Sequence, residues 1–133
     1  MAPRGILLVQ ACARRRVEGL PGGRNVMLTS GQDLGGGMPE EVAYGPAKGA
    51  LASATRTLAG ALAGLGVTVN AVNPGPVDSG YAVGELRGRV ARCFPGGQWG
   101  APDDRARLIA WPATDEAAWI TGEAINSEGG FRR

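Results

Sequence analysis

Histidine is absent from this 133-residue chain. That excludes His-based catalytic triads and removes the commonest side-chain metal ligand. Cysteine occurs twice, as Cys12 and Cys93, far apart and without CxxC spacing. The two read as reduced, buried or incidental thiols of a cytoplasmic protein rather than as a disulfide framework or zinc site. Charge of one sign is also lacking, since the formal net charge is only +2. That is too small to argue for nucleic acid or an anionic membrane. The one basic run, Arg14–Arg16, ends a helical pattern, where cations complement the carbonyl end of the helix dipole. No long apolar run is present: residues 57–77 carry no charge, but Asn70, Asn73, Pro74 and several glycines interrupt them. They read as a helix followed by a strand, not a membrane span. The apolar run Gly5–Ala11 is short and is followed by arginines rather than a small-residue cleavage site, so no secretory signal is expected.

What is present in excess is glycine, 23 of 133 residues. It has no triplet period, which excludes collagen. The length suits one domain with one core of modest size. Residues 3–16 carry a helical pattern with Pro3 suited to a first turn. EGLPGG (18–23) is a loop, and RNVMLTS (24–30) is a buried-strand run. A loop (31–39) leads to Glu40 and Glu41, acids placed where a helix N-terminus favours them. Residues 43–64 are predicted as a long helix with Ala47, Leu51, Ala54, Leu58, Ala61, Leu62 and Leu65 on one apolar face, Pro46 being tolerable within the first turn. Gly66 stops that helix. VTVNAV (67–72) is a second strand, NPGPVDSG (73–80) a loop, and 81–93 a charged helical lid. After the loop 94–102, Asp103 and Asp104 cap a helix ending at Trp111, with Pro112 stopping it. A last short strand falls near 123–127. Asp78 reads as solvated or capping, and Trp99, Trp111 and Trp119 as packing anchors. Helices alternating with short apolar strands imply an α/β layer with a parallel sheet.

The stretch Ser30–Lys48 concentrates chemistry. It places a hydroxyl at a strand end and a phenol and an ammonium four residues apart, on one face of a helix. A free phenol titrates near 10, too high for efficient base work at neutral pH, and a lysine one turn on stabilises its anion.

Five blocks then occur in order along residues 3–131. NVMLTS is similar to the strand that delivers the catalytic serine of the short-chain dehydrogenase/reductase family. YGPAK fits that family's YxxxK signature. NAVNPGPVDSG resembles its N-x-V-x-PG-x-x-x-T loop, with Ser79 where threonine is usual. QWGAPDDRARLIAW and AAWITGEAINSEGGF resemble its C-terminal helix and last strand. The turn TGxxxGxG that holds a dinucleotide pyrophosphate at a helix N-terminus has no counterpart between a first strand and helix. Aligning on Arg4 and Gly5 puts Ala2 where the family has an active-site asparagine. The resemblance therefore implies the C-terminal half of a reductase.

By this resemblance, residues 1–133 form a single, incomplete dinucleotide-binding domain: a truncated Rossmann-like, doubly wound α/β sheet of about three parallel strands with flanking helices. Its implied activity is hydride transfer between NAD or NADP and a small-molecule ketone or alcohol, such as a 3-oxoacyl compound. The implied catalytic residues are Ser30, Tyr44 and Lys48. The implied cofactor-binding residues are Tyr44, Lys48, Pro74, Gly75, Val77 and Ser79; no metal, nucleic acid or membrane is expected. The helices 3–16 and 43–64 are expected to self-associate. A different class stays open: a catalytically inactive remnant, or an interaction module that folds only with a partner.

Overall fold

A computed structural model describes residues 4–15, 22–35 and 39–133. Three parallel strands, β1 (Arg24–Leu28), β2 (Thr68–Asn73) and β3 (Ala124–Asn126), lie in the order β1-β2-β3. Met27 sits opposite Ala71, and Val72 opposite Ile125. Helices α1 (Arg4–Arg14), α2 (Tyr44–Leu62), α3 (Gly84–Ala91) and α4 (Pro102–Ala110) alternate with them in the chain. The α/β alternation and parallel sheet expected from the sequence are thus present.

Every residue of β2 is buried. A central parallel strand covered on both faces needs no polar alternation, which is why VTVNAV reads as a continuous run. Val69 and Ala71 join Val9 of α1, Met27 of β1 and Ala59 of α2 in the core, with Leu51, Leu58 and Leu62 packed against them. Burying each larger aliphatic side chain contributes about 1.5–3 kcal/mol. A short turn, Trp111–Ala113, packs on β1 and buries Pro112.

Helix α2 starts at Tyr44, so Pro46 lies in its first turn, where a missing N–H breaks no helical bond. Glu40 and Glu41 lie in a separate short turn just before it. The apolar stripe is rotated from the expected one. Thr55 and Ala59 are buried, whereas Ala47, Ala61 and Leu65 are exposed. Thr55 can face the core because its hydroxyl donates to the Leu51 carbonyl at 2.8 Å. The chain leaves the helical region through Gly66, which has φ 65° and donates its N–H to Ala63. A left-handed residue there favours glycine.

Other boundaries shift modestly. Strand pairing ends at Leu28, although the Thr29 N–H still bonds Val72 O at 2.9 Å. The lid contains only the two turns of α3, preceded by Tyr81–Val83 outside any helix. Helix α4 is capped at Ala101, not by Asp103. Asp104 reaches back to accept the Ala101 N–H at 2.9 Å, because a carboxylate three residues into a helix spans that gap. Trp111 begins the next turn rather than ending α4. Trp119 is no packing anchor, being 98% exposed. Cys12 is exposed rather than buried, and both thiols are free. Pro3 and Arg16, assigned to the first helix, and Ala2 lie outside the described residues.

The three-residue β3 is held on β2 by more than its ladder. Asn70, wholly buried, donates to Ile120 O at 2.8 Å and accepts the Glu123 N–H at 3.1 Å. Val69 N–H bonds Thr121 Oγ1 at 3.1 Å. Removing the amide takes both hydrogen bonds from a wholly buried position. Asn70→Ala should therefore cost roughly 2–4 kcal/mol, against about 0.5 or less for the exposed Thr57→Ala. Urea unfolding followed by circular dichroism measures both, and equal losses would refute the clamp.

Candidate active site

Tyr44 is the first residue of α2 and Lys48 follows one turn later. The Lys48 ammonium donates to the Leu28 carbonyl at 2.7 Å and lies 5.6 Å from the Tyr44 ring centroid. That bond joins the start of α2 to the carboxyl end of β1, two residues before Ser30. An ammonium has three donors, and the carbonyl uses one. Tyr44 itself is 44% exposed, open to a ligand.

Two hydroxyls end β1. Thr29 is buried and Ser30 half-buried, as side-chain alternation along extended chain requires. Ser30 keeps an extended backbone (φ −149°, ψ 161°) and leads into the tight turn Gly31–Leu34, on which α2 packs. The spacing of Ser30, Tyr44 and Lys48 thus becomes a cluster of elements at the sheet end. The side chains seen in contact are Tyr44 and Lys48.

The second group follows β2. Pro74 O accepts from Arg105 Nε at 2.9 Å, and Gly75, at φ 61°, donates its N–H to Asn73 Oδ1 at 3.0 Å. Val77 forms a parallel bridge with Gly100, the Asp78 N–H bonds Gly100 O at 3.0 Å, and the Ser79 N–H closes onto Val77 O at 2.8 Å. The turn is therefore tied to β2 and α4, with the Ser79 hydroxyl on the exposed side. Both groups lie beyond the carboxyl ends of the strands, where open α/β sheets bind ligands. The donor set fits the nicotinamide and ribose end of a dinucleotide: an ammonium, a phenol, a hydroxyl and a well-braced backbone turn.

Three features escape sequence reading. Asp78 is not simply solvated or capping. It pairs through both oxygens with Arg87 of α3, Oδ2 to Nη2 at 2.6 Å. The Arg87 guanidinium lies 6.0 Å from the Trp99 ring centroid, and the Trp99 indole donates to Arg87 O at 3.0 Å. Tyr81 meets Trp99 edge-on at 5.7 Å. Burial, and secondarily the Tyr44 phenol, push the Tyr81 hydroxyl above the usual tyrosine value. No local spacing rule pairs Asp78 with Arg87 or Tyr81 with Trp99 across a loop. Glu128, third of these, accepts from Asn73 Nδ2 at 2.8 Å, and its setting in SEGGF offers no periodicity to detect.

No helix among the described residues is long and apolar enough to cross a membrane.

The Arg87 hydrogen bond, against a smaller burial effect, holds the Asp78 carboxyl below the usual carboxylate range, while Arg87 is held above its own. A depressed acid contributes stability that is present above its unfolded value of about 3.9 and lost as pH falls through the lower folded value. The Trp99 indole resonance should therefore move below about pH 3.9, and Asp78→Asn should show the moved position already at neutral pH. A variant indole unmoved at pH 7 would dissolve the latch.

Over residues 5–132 the sequence matches the family described as Enoyl-(Acyl carrier protein) reductase. It is 52% identical over 128 residues to the uncharacterized oxidoreductase YjdA of Bacillus subtilis (strain 168), across 96% of this chain and 51% of that protein. It is 33% identical over 112 residues to the 3-oxoacyl-[acyl-carrier-protein] reductase FabG of Rickettsia bellii (strain RML369-C), across 82% of this chain and 46% of that protein. The solved structure of the angucycline C-6 ketoreductase LanV with bound NADP matches with a TM-score of 0.84 at 32% identity, over 95% of this chain and 49% of that one. The chain spans about half the length of the relatives it matches. Sequence match, fold and strand-end geometry agree, and the chain belongs to the short-chain dehydrogenase/reductase family.

Proposed function

We propose that this chain carries the carbonyl-reducing end of an NAD- or NADP-dependent oxidoreductase. The observation that carries the reading is the Lys48 ammonium, fixed on the Leu28 carbonyl beside the Tyr44 ring. In reduction, Tyr44 donates its phenolic proton to the carbonyl oxygen; in alcohol oxidation its phenolate takes that proton back. Lys48 stabilises the phenolate by its charge and reserves its other donors for the nicotinamide ribose. The Ser30 hydroxyl holds the substrate carbonyl. Pro74 and Gly75 shape the turn that packs on the nicotinamide, and the Val77 backbone and Ser79 hydroxyl bind its carboxamide. The dinucleotide, when bound, supplies the hydride. The NADP in LanV supports the cofactor class, and the FabG relative makes 3-oxoacyl thioesters the first substrates to try.

The same reading places residues 1–133 in one incomplete domain of a cytoplasmic protein, where the exposed Cys12 stays reduced. Self-association through residues 3–16 and 43–64 is supported by Leu7 and Leu8, which are exposed on α1.

The test is oxidation of NADH and NADPH with a panel of ketones and an acetoacetyl thioester. Tyr44→Phe should lower kcat/KM at least about 100-fold, the usual contribution of a positioned acid–base group. Turnover that survives the substitution, or no binding of either dinucleotide at millimolar concentration, would remove the catalytic reading.

One observation favours a second reading. A groove of about 230 Å³ runs between α1 and β1, lined by Leu8, Val9, Val26, Leu28 and Leu51. β1 is an edge of the sheet, and Leu8 and Leu28 are exposed there. An apolar edge strand is a template for another strand. In this reading the chain acts only with the complementary half of a reductase, on the same or another polypeptide, adding a strand beside β1. Adding the separately expressed first half of the YjdA relative should then raise NADPH affinity at least about tenfold, a gain of ~1.4 kcal/mol. Unchanged affinity would leave the groove without that occupant.

A further inference from the structure

One carboxylate reaches the loops that follow all three strands. Glu128 lies just beyond β3, with its side chain 10% exposed. Its Oε1 accepts from Asn73 Nδ2 at 2.8 Å, and both its oxygens pair with the Arg133 guanidinium, Oε2 to Nη1 at 2.8 Å. Asn73, at the end of β2, is 3% exposed and fully engaged on this axis. Its amide donates to Glu128 and to Asn126 Oδ1 at 2.9 Å, which turns its Oδ1 toward the Gly75 N–H at 3.0 Å.

Two glycines show how closely the carboxylate is gripped. A Cβ built on Gly75 would lie 3.0 Å from Glu128 Cα and Cγ. A Cβ on Gly31, the residue after Ser30, would overlap Arg133 Nη2 and Glu128 Oε1. The Ser30–Gly31 turn thus lies against one side of the Glu128–Arg133 pair, and the Pro74–Gly75 turn against the Glu128 stem. Burial pushes the Glu128 carboxyl up, but hydrogen bonds from Arg133 and Asn73 outweigh it and hold the group below the usual carboxylate value. A largely buried carboxylate with such partners keeps one geometry, because losing either leaves charge unpaired in a poor solvent.

We propose that Glu128 is a positioning residue, whose carboxylate, fixed by Asn73 and Arg133, sets the spacing between the Ser30–Gly31 turn and the Pro74–Ser79 turn. Its importance for chemistry rests on the reading of those turns given above: a carbonyl donor on one and the nicotinamide contact on the other. Neither turn belongs to a strand, so strand pairing alone does not fix their separation. Gln at this position keeps the shape and the acceptor for Asn73, but presents an amide to the guanidinium in place of a carboxylate.

The experiment compares ¹⁵N spectra and amide-proton exchange of the full chain as wild type, Glu128→Gln and Arg133→Met. The amides of Ser30, Gly31 and Gly75 should shift together in both variants. Exchange at Gly75 should accelerate at least about tenfold, while Val69 and Ala71 exchange as in wild type, the mark of local rather than global opening. Should Glu128→Gln fail to fold, Arg133→Met cuts the same bridge from its other side. Uniform acceleration through Val69 and Ala71 would make the role merely structural and overturn the proposal. So would a shift at Gly75 with Ser30 and Gly31 unmoved. If the turns move together and the wild-type chain nevertheless binds no NADPH, the positioning stands and the catalytic reading falls.

Discussion

Strand β2 is paired on both edges and buried throughout, so its side-chain amides need partners within the protein, although the Thr68 hydroxyl finds none. Two asparagines carry that demand. Asn70, in the middle, takes the backbone of Ile120 and Glu123 and so holds the approach to β3. Asn73, at the carboxyl end, takes Asn126, Glu128 and the Gly75 N–H. The first satisfies the core, and the second turns the strand end into a platform. A buried amide is worth little net when bonded and is costly when stranded, so these two residues specify arrangement more than they add stability. The loops that would hold ligand inherit their geometry from that requirement.

Periodicity made the scaffold legible. VTVNAV reads as a buried parallel strand because both faces are covered, whereas NVML, read as buried too, is an edge strand with only Met27 buried and Leu28 exposed; YGPAK reads as a functional pair because positions four apart share a helix face. Those are local rules, and the fold obeys them. The misses are non-local. The buried stripe of α2 turns on Thr55, a polar residue that the core accepts because its hydroxyl bonds one turn back to Leu51. Hydrophobicity alone assigns that place to Ala54 or Ala61. Trp119 looks like a core residue by type and is almost fully solvent-exposed, since its place follows from the turns around Asp115–Ala117 rather than from its own hydrophobicity. Asp78 finds Arg87 across a loop, and Glu128 finds Asn73 from 55 residues away. No pattern in a single sequence encodes such pairs.

The site is also uneven in how firmly it is held. On the sheet side, Lys48 is anchored on a strand-end carbonyl, and the turn after β2 is bonded to Asn73, Arg105 and Gly100. Each of these contacts ends on a backbone atom, which holds the groups it joins close to one place. On the lid side, α3 buries none of its residues. It is held near the sheet by the Asp78–Arg87 pair, by Arg87 against Trp99, by the edge-on contact of Trp99 with Tyr81 and, just past its end, by the buried Phe94 against Phe131. Exposed ion pairs contribute little and are screened by salt. The two sides therefore suit different tasks. In the reading proposed above, the sheet end would fix the proton donor and its charge, which serve any carbonyl alike. The lid, whose helix buries none of its residues, would yield more readily to the shape of a ligand. On the function proposed above, changes on α3 would alter which substrate is accepted, whereas changes at Asn73, Glu128 or Lys48 would alter turnover itself.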